Sequence, residues 1–209
     1  SGAVLVGPEG VDVDVERTSL SDHRFLPVAL VGTVAYHLHV ADEARMWTTY
    51  AGLLGGVTVQ VRGELDGNDL HAVAETPGAS PAEVHALWPV LEPAEPLAAR
   101  VELQGPIPTF DVYASVGVRD LGGPGSIEAR GRLDARGPTR ATLAVDVTDL
   151  DPRALVPSAP SVPLSVRLHA EATLAAGSPS VTLDGHVEPS LLAGRPVPAT
   201  DLHAALVRG

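Results

Sequence analysis

Leu164-Ser165-Val166-Arg167-Leu168-His169-Ala170-Glu171-Ala172-Thr173-Leu174 alternates apolar and polar residues without a break. A period of two puts the aliphatic residues on one face of a β-strand and Ser, Arg, His, Glu and Thr on the other. A register slip of one residue would turn the whole aliphatic row toward water, so the pattern also specifies how the strand pairs. The same signal recurs along the chain. Val11, Val13 and Val15 alternate with Asp12, Asp14 and Glu16, and Val57, Val59 and Val61 with Thr58, Gln60 and Arg62. Ile127, Ala129 and Leu133 alternate with Glu128, Arg130, Arg132 and Asp134, and Val181, Leu183 and Val187 with Thr182, Asp184, His186 and Glu188.

Between these runs stand turn formers: Asp66-Gly67-Asn68, Gly122-Gly123-Pro124-Gly125, Arg136-Gly137-Pro138 and Ala176-Gly177-Ser178-Pro179. Gaps of hairpin length make neighbouring strands antiparallel. The reading is an all-β chain of roughly eleven strands, with one aliphatic face and one charged face. Three stretches read instead as short helical inserts. Ser80-Pro81-Ala82-Glu83-Val84-His85-Ala86-Leu87-Trp88 offers an N-cap Ser and a Pro in the first turn. Asp151-Pro152-Arg153-Ala154-Leu155 is its shorter counterpart, and residues 41–54 carry Met46, Trp47 and Tyr50.

The pattern also repeats at long range. Val61-Arg62-Gly63-Glu64-Leu65-Asp66 returns as Ala129-Arg130-Gly131-Arg132-Leu133-Asp134, an offset of 131 − 63 = 68. Leu97 returns as Leu164 (164 − 97 = 67) and Val112 as Val181 (181 − 112 = 69), while Val13-Asp14-Val15 resembles Val145-Asp146-Val147, two periods on. Such repetition marks an elongated stack in which each unit buries its apolar face against the next. It divides the chain into a divergent partial unit over 3–56 and two units over 57–125 and 126–209, all in one continuous sheet.

Composition narrows the function. The net charge of −12 opposes nucleic acid and anionic lipid surfaces. There is no cysteine, hence no disulfide frame and no thiolate metal site. All 14 basic residues are Arg, Asn68 is the single Asn, and aromatics make up 3 % of the chain, so the apolar surface is Val, Leu and Ala. The longest apolar stretch, from Leu26 to Val34, is too short and too broken by Pro27 and Gly32 to span a bilayer. Ser1-Gly2 reads as a cloning remnant ahead of a segment excised from a longer protein.

Catalytic and metal signals are sparse. His37 and His39 share a strand face but lack a third ligand. The Asp12, Asp14, Glu16 row suits a solvated outer face better than a calcium site. Trp47 and Trp88 read as core plugs. No nucleophile elbow, phosphate loop or dinucleotide fingerprint occurs, and the expectation is a non-enzyme without cofactor or metal.

The segment from Ile127 to Asp134, the aliphatic strand Ala141 to Leu150, the Asp151-to-Leu155 link and the strand Leu164 to Leu174 together resemble the AsmA/TamB family style. The resemblance implies an elongated antiparallel sheet curled into an open, taco-like trough. It further implies a periplasmic protein whose parent is anchored in the inner membrane and reaches toward outer-membrane components. Phospholipid, or another acyl lipid, would travel in the trough. Its expected lining is Val57, Val59, Val61, Val101, Leu103, Leu143, Val145, Val147, Leu164, Val166, Leu168, Val181 and Leu183. The alternative is a closed β-sandwich or a stacked structural or adhesion module with its aliphatic face sealed. Cutting a continuous sheet would leave free strand edges near Val11–Glu16 and Thr200–Val207, which further suggest edge-to-edge self-association of the segment.

Overall fold

The computed structural model describes residues 2–7, 10–22, 30–40, 44–89, 91–119, 121, 125–174, 180–192 and 195–207. Among the described residues thirteen strands form one antiparallel sheet in near-perfect chain order. They are β1 (Gly2–Gly7), β2 (Gly10–Asp22), β3 (Leu30–Val40), β4 (Ala44–Leu54), β5 (Val57–Asp66), β6 (Asp69–Ala79), β7 (Leu97–Pro106), β8 (Thr109–Val118), β9 (Ser126–Asp134), β10 (Thr139–Leu150), β11 (Leu164–Leu174), β12 (Ser180–Val187) and β15 (Thr200–Val207). The remaining strands, β13 (Ser190–Leu192) and β14 (Arg195–Val197), form a separate two-stranded ribbon between β12 and β15. Strands β1 and β15 do not pair, so the sheet is open. The N-terminal edge is β1 rather than the Val11–Glu16 segment, which lies inside the sheet between β1 and β3.

Two of the three expected helical inserts form. Helix α1 (Pro81–Leu87) begins with a complete capping box: Ser80 accepts from the Glu83 amide, and the Glu83 carboxylate accepts from the Ser80 amide at 2.7 Å. Asp151 caps a 3₁₀ turn over Pro152–Ala154, accepting from the Arg153 amide at 3.0 Å. The third expectation is overturned. Residues 44–54 are strand β4, because Met46, Thr48, Tyr50, Gly52 and Leu54 sit opposite inward residues of β5, from Leu65 to Val57. Thr48 and Gly52 blur the alternation there, while Thr-Thr-Tyr favours a pleated backbone.

The two ends of the sheet differ. At one end the hairpins are tight, as between Asp66 and Asp69, where Gly67 takes φ 60°. Asn68 there reaches the next turn: its side-chain amide donates to the Ile107 carbonyl at 2.9 Å, and its main-chain carbonyl accepts from the Ile107 amide at 2.8 Å. At the other end run the long connections, 80–96, 151–163 and 188–199. Two of these join each other. The Glu92 amide donates to the Leu155 carbonyl at 2.9 Å, and the Ala94 amide to the Ala154 carbonyl at 3.0 Å. The main buried cluster lies at this end, where Val84 of α1 packs with Val57, Ala79 and Leu97, flanked by Leu87, Leu91, Val118 and Leu155.

One-residue bulges recur on every fourth strand. From Val15 to Thr18, β2 advances three residues while β3 advances two, from Tyr36 to Val34. The same happens in β6 from Thr76 to Ala79, opposite Ala99 and Leu97, and in β10 from Val147 to Leu150, opposite Val166 and Leu164. Each extra residue resets the alternation, so Ala79 and Leu150 stay on the aliphatic side at the long-connection end. Both are buried.

Candidate functional site

The aliphatic faces of successive strands join into rows that cross the sheet. One row runs Val34, Tyr50, Val61, Ala74, Val101, Ala114, Ala129, Val145, Leu168, Gly185, Leu202. The next runs Tyr36, Thr48, Gly63, Ala72, Leu103, Val112, Gly131, Leu143, Ala170, Leu183, Ala204. Among the described residues from β3 to β15, no charged side chain interrupts this face.

The face is not sealed. No side chain among the described residues is fully buried, and the few buried apolar residues gather mainly where the long connections fold in. Of the thirteen expected lining residues, Val59, Val61, Leu103, Leu143, Val145, Val147, Leu164, Val166, Leu168, Val181 and Leu183 lie half-buried on this face. Val101 is more open, at 42 % exposure. Val57 stands apart: it is buried beneath α1, a wall rather than an open lining. The face also extends onto β3 and β4, through Val34, Leu38, Met46 and Tyr50, where reading β4 as helix hid it.

Glycines on this face let backbones and side chains close in. A Cβ on Gly131 would collide with the Thr142 carbonyl oxygen, and one on Gly185 with Leu168 Cδ2. Tyr50 lies over the cross-strand pair Gly32 and Gly52, so that a Cβ on Gly32 would meet its ring at 2.5 Å. The Tyr50 hydroxyl is 3.1 Å from the Val31 carbonyl oxygen and 3.2 Å from that of Leu53, which anchors the ring near the long-connection end. Burial raises its phenol pKa.

The opposite face is a lattice of cross-strand ion pairs. Arg100 joins Glu75 at 2.5 Å and Glu102 at 2.9 Å, and His71 contacts Glu102 at 3.1 Å. The Arg100 hydrogen bond, then that of His71, holds the Glu102 carboxyl below its usual range. His39 and His37 both turn to Asp12, at 2.7 and 3.7 Å. No group of three or more His, Cys, Asp or Glu side chains among the described residues is arranged to hold a metal ion. The Glu16 side chain lies outside the described residues. Trp47 and Trp88, expected as core plugs, are instead 41 % and 57 % exposed.

What this arrangement offers chemically is a broad apolar surface with a charged back and, among the described residues, no cluster of reactive groups on the apolar side. Among the described residues no helix is long and apolar enough to cross a membrane. No protein-family model, curated protein or solved structure matches this chain.

Proposed function

We propose that the uncovered aliphatic face is the lining of a trough that shields the acyl chains of phospholipid, or of another acyl lipid, in passage between inner and outer membranes. The observation that carries this reading is the unbroken, chargeless aliphatic face across an open sheet. A contiguous apolar face left uncovered marks an interaction site rather than ordinary surface. An acyl chain moved from water onto such a wall gains about 0.8 kcal/mol per buried CH₂, while its head group stays at a rim in solvent. A lining of Val, Leu and Ala without polar anchors holds chains without fixing them, which suits sliding.

Curling of the sheet is supported by bulges and inward glycines, the devices that bend sheets. The bulges on β2, β6 and β10 fall at a four-strand interval, 61 residues apart from Val15 to Thr76 and 71 from Thr76 to Val147, on either side of the offset of about 68 residues in the sequence. In this reading the unit is two hairpins joined by a helical link. A sandwich that seals the face would need a second sheet, and the other pairing among the described residues is the short β13–β14 ribbon. The resemblance to the AsmA/TamB style is consistent with a periplasmic segment of an anchored parent.

The test is native mass spectrometry of the chain after exposure to phospholipid vesicles, followed by lipid extraction. Adducts of two-chain lipids that survive gentle desolvation are the expected outcome. A chain that emerges lipid-free at every lipid concentration, while still folded, would sink the reading.

A further inference from the structure

The charged face holds one feature that ion pairing and acyl binding leave unused. Trp47 projects from β4 onto this polar side at 41 % exposure, with its ring centroid 5.5 Å from that of His37. Beside it a depression of about 400 Å³ spans β4 to β7, lined in part by Gln60, Arg62, Glu64, His71, Glu75 and Arg100. Glu64 is the cross-strand neighbour of Trp47, and Arg62 that of Thr49.

The groups around the depression fall into two sets. Arg100, Glu75, Glu102 and His71 bind one another and form a fixed wall. The side chains of Gln60, Arg62 and Glu64 make no hydrogen bond or ion pair with another described residue, so their planar polar ends remain available to a ligand. The lining charges also balance, with Arg62 and Arg100 against Glu64 and Glu75, in a chain of net charge −12. A charge-balanced site favours neither an anion nor a cation. An indole face bordered by a carboxamide, a carboxylate and a guanidinium suits a ligand with an apolar C–H face and a rim of hydroxyls.

We propose that this depression binds an uncharged oligosaccharide, with a sugar ring stacked on Trp47 and its hydroxyls held by Gln60, Arg62 and Glu64. Gln60, Arg62 and Glu64 are alternate residues of β5, about 6.8 Å apart along the strand, so the site takes a short stretch of glycan laid along β5 beside Trp47. The site lies on the face opposite the aliphatic rows and does not depend on the acyl-chain reading.

A Trp88→Phe chain retains Trp47 as its sole tryptophan, which makes indole fluorescence a local probe. Titration with chitotetraose, cellotetraose and maltotetraose should give a saturable change for at least one of them, with Kd on the order of 1 mM. Adding Arg62→Ala and Glu64→Ala should weaken that binding at least about tenfold, a loss of 1.4 kcal/mol. Calorimetry on Trp47→Ala should show no binding, with the far-ultraviolet circular dichroism unchanged. No saturable response to any of the three sugars up to about ten times that concentration overturns the proposal. So does a response that survives both the Arg62–Glu64 change and Trp47→Ala.

Discussion

Leu168 Cδ2 occupies the space that a Cβ on Gly185, its cross-strand partner, would need. The pair is a lock between β11 and β12 on the aliphatic face: one strand supplies bulk and the other its absence. Gly185→Val should therefore destabilise the chain by about 1–3 kcal/mol through overpacking. Leu168→Ala in the same chain should restore part of that loss, a non-additivity measurable by urea unfolding in a double-mutant cycle. Additive effects would mean that Leu168 does not sit over Gly185 in solution.

Gly63 and Gly131 stand in one row of the aliphatic face, yet their surroundings differ. A Cβ on Gly63 would meet Thr48 Cγ2 at 3.0 Å, a side chain that can shift. A Cβ on Gly131 would meet backbone, the Thr142 carbonyl oxygen and Leu143 Cα, which cannot. Gly131→Ala should thus lower the urea midpoint well beyond Gly63→Ala, by a difference of at least about 1 kcal/mol. Equal midpoints would show that β9 and β10 do not approach each other this closely.

Much of this architecture is written in the residues. Strict alternation in Leu164–Leu174 and Val57–Val61 gave both strand and face, because one side meets water along the whole run. The Ser80-Pro81 and Asp151-Pro152 starts were equally legible, since capping depends on local chemistry. Strand β4 was not. Thr48 and Gly52 interrupt its apolar side while Trp47 and Leu53 add apolar residues to the other, and alternation fails as a guide when both faces are mixed. The burial of Val57 was also out of reach, because it depends on α1 folding back from more than twenty residues away. Trp47 and Trp88 were misread for the complementary reason: size suggests burial, but a single layer has little interior to offer.

Several carboxylates are held in their charged form by the fold. The Ser80 hydroxyl, then the Ser80 amide, lowers the Glu83 pKa, the Ser161 hydroxyl lowers that of Asp151, and the Arg136 amide lowers that of Asp134. A folded-state pKa below the unfolded value adds stability that is present above the unfolded pKa and lost as pH falls through the folded one. Stability should therefore hold at neutral pH and decline on acidification from the ordinary carboxylate values, 4.5 for Glu and 3.8 for Asp, downward. Glu83→Gln should lower the neutral-pH urea midpoint and flatten its acid slope, the two chains converging once the pH has fallen through the lowered pKa of Glu83. Parallel slopes would remove Glu83 from the acid response.

Val145 and Val57 separate an open trough from a sealed core. Val145 is half-buried at the centre of the aliphatic face, whereas Val57 is 6 % exposed and packs with Val84 and Leu97. A carboxylate at position 57 would be enclosed without a partner, and Val57→Asp should cost several kcal/mol and lower the melting temperature sharply. A carboxylate at position 145 can keep its hydration if nothing covers the face, so Val145→Asp should melt within a few degrees of the parent chain. The same change places a charge where acyl chains would lie, and binding of a fluorescent polyene fatty acid should fall at least about tenfold. If Val145→Asp unfolds as Val57→Asp does, the aliphatic face is a closed interior and the trough reading fails. If it stays folded and binds the probe undiminished, acyl chains do not lie along this row.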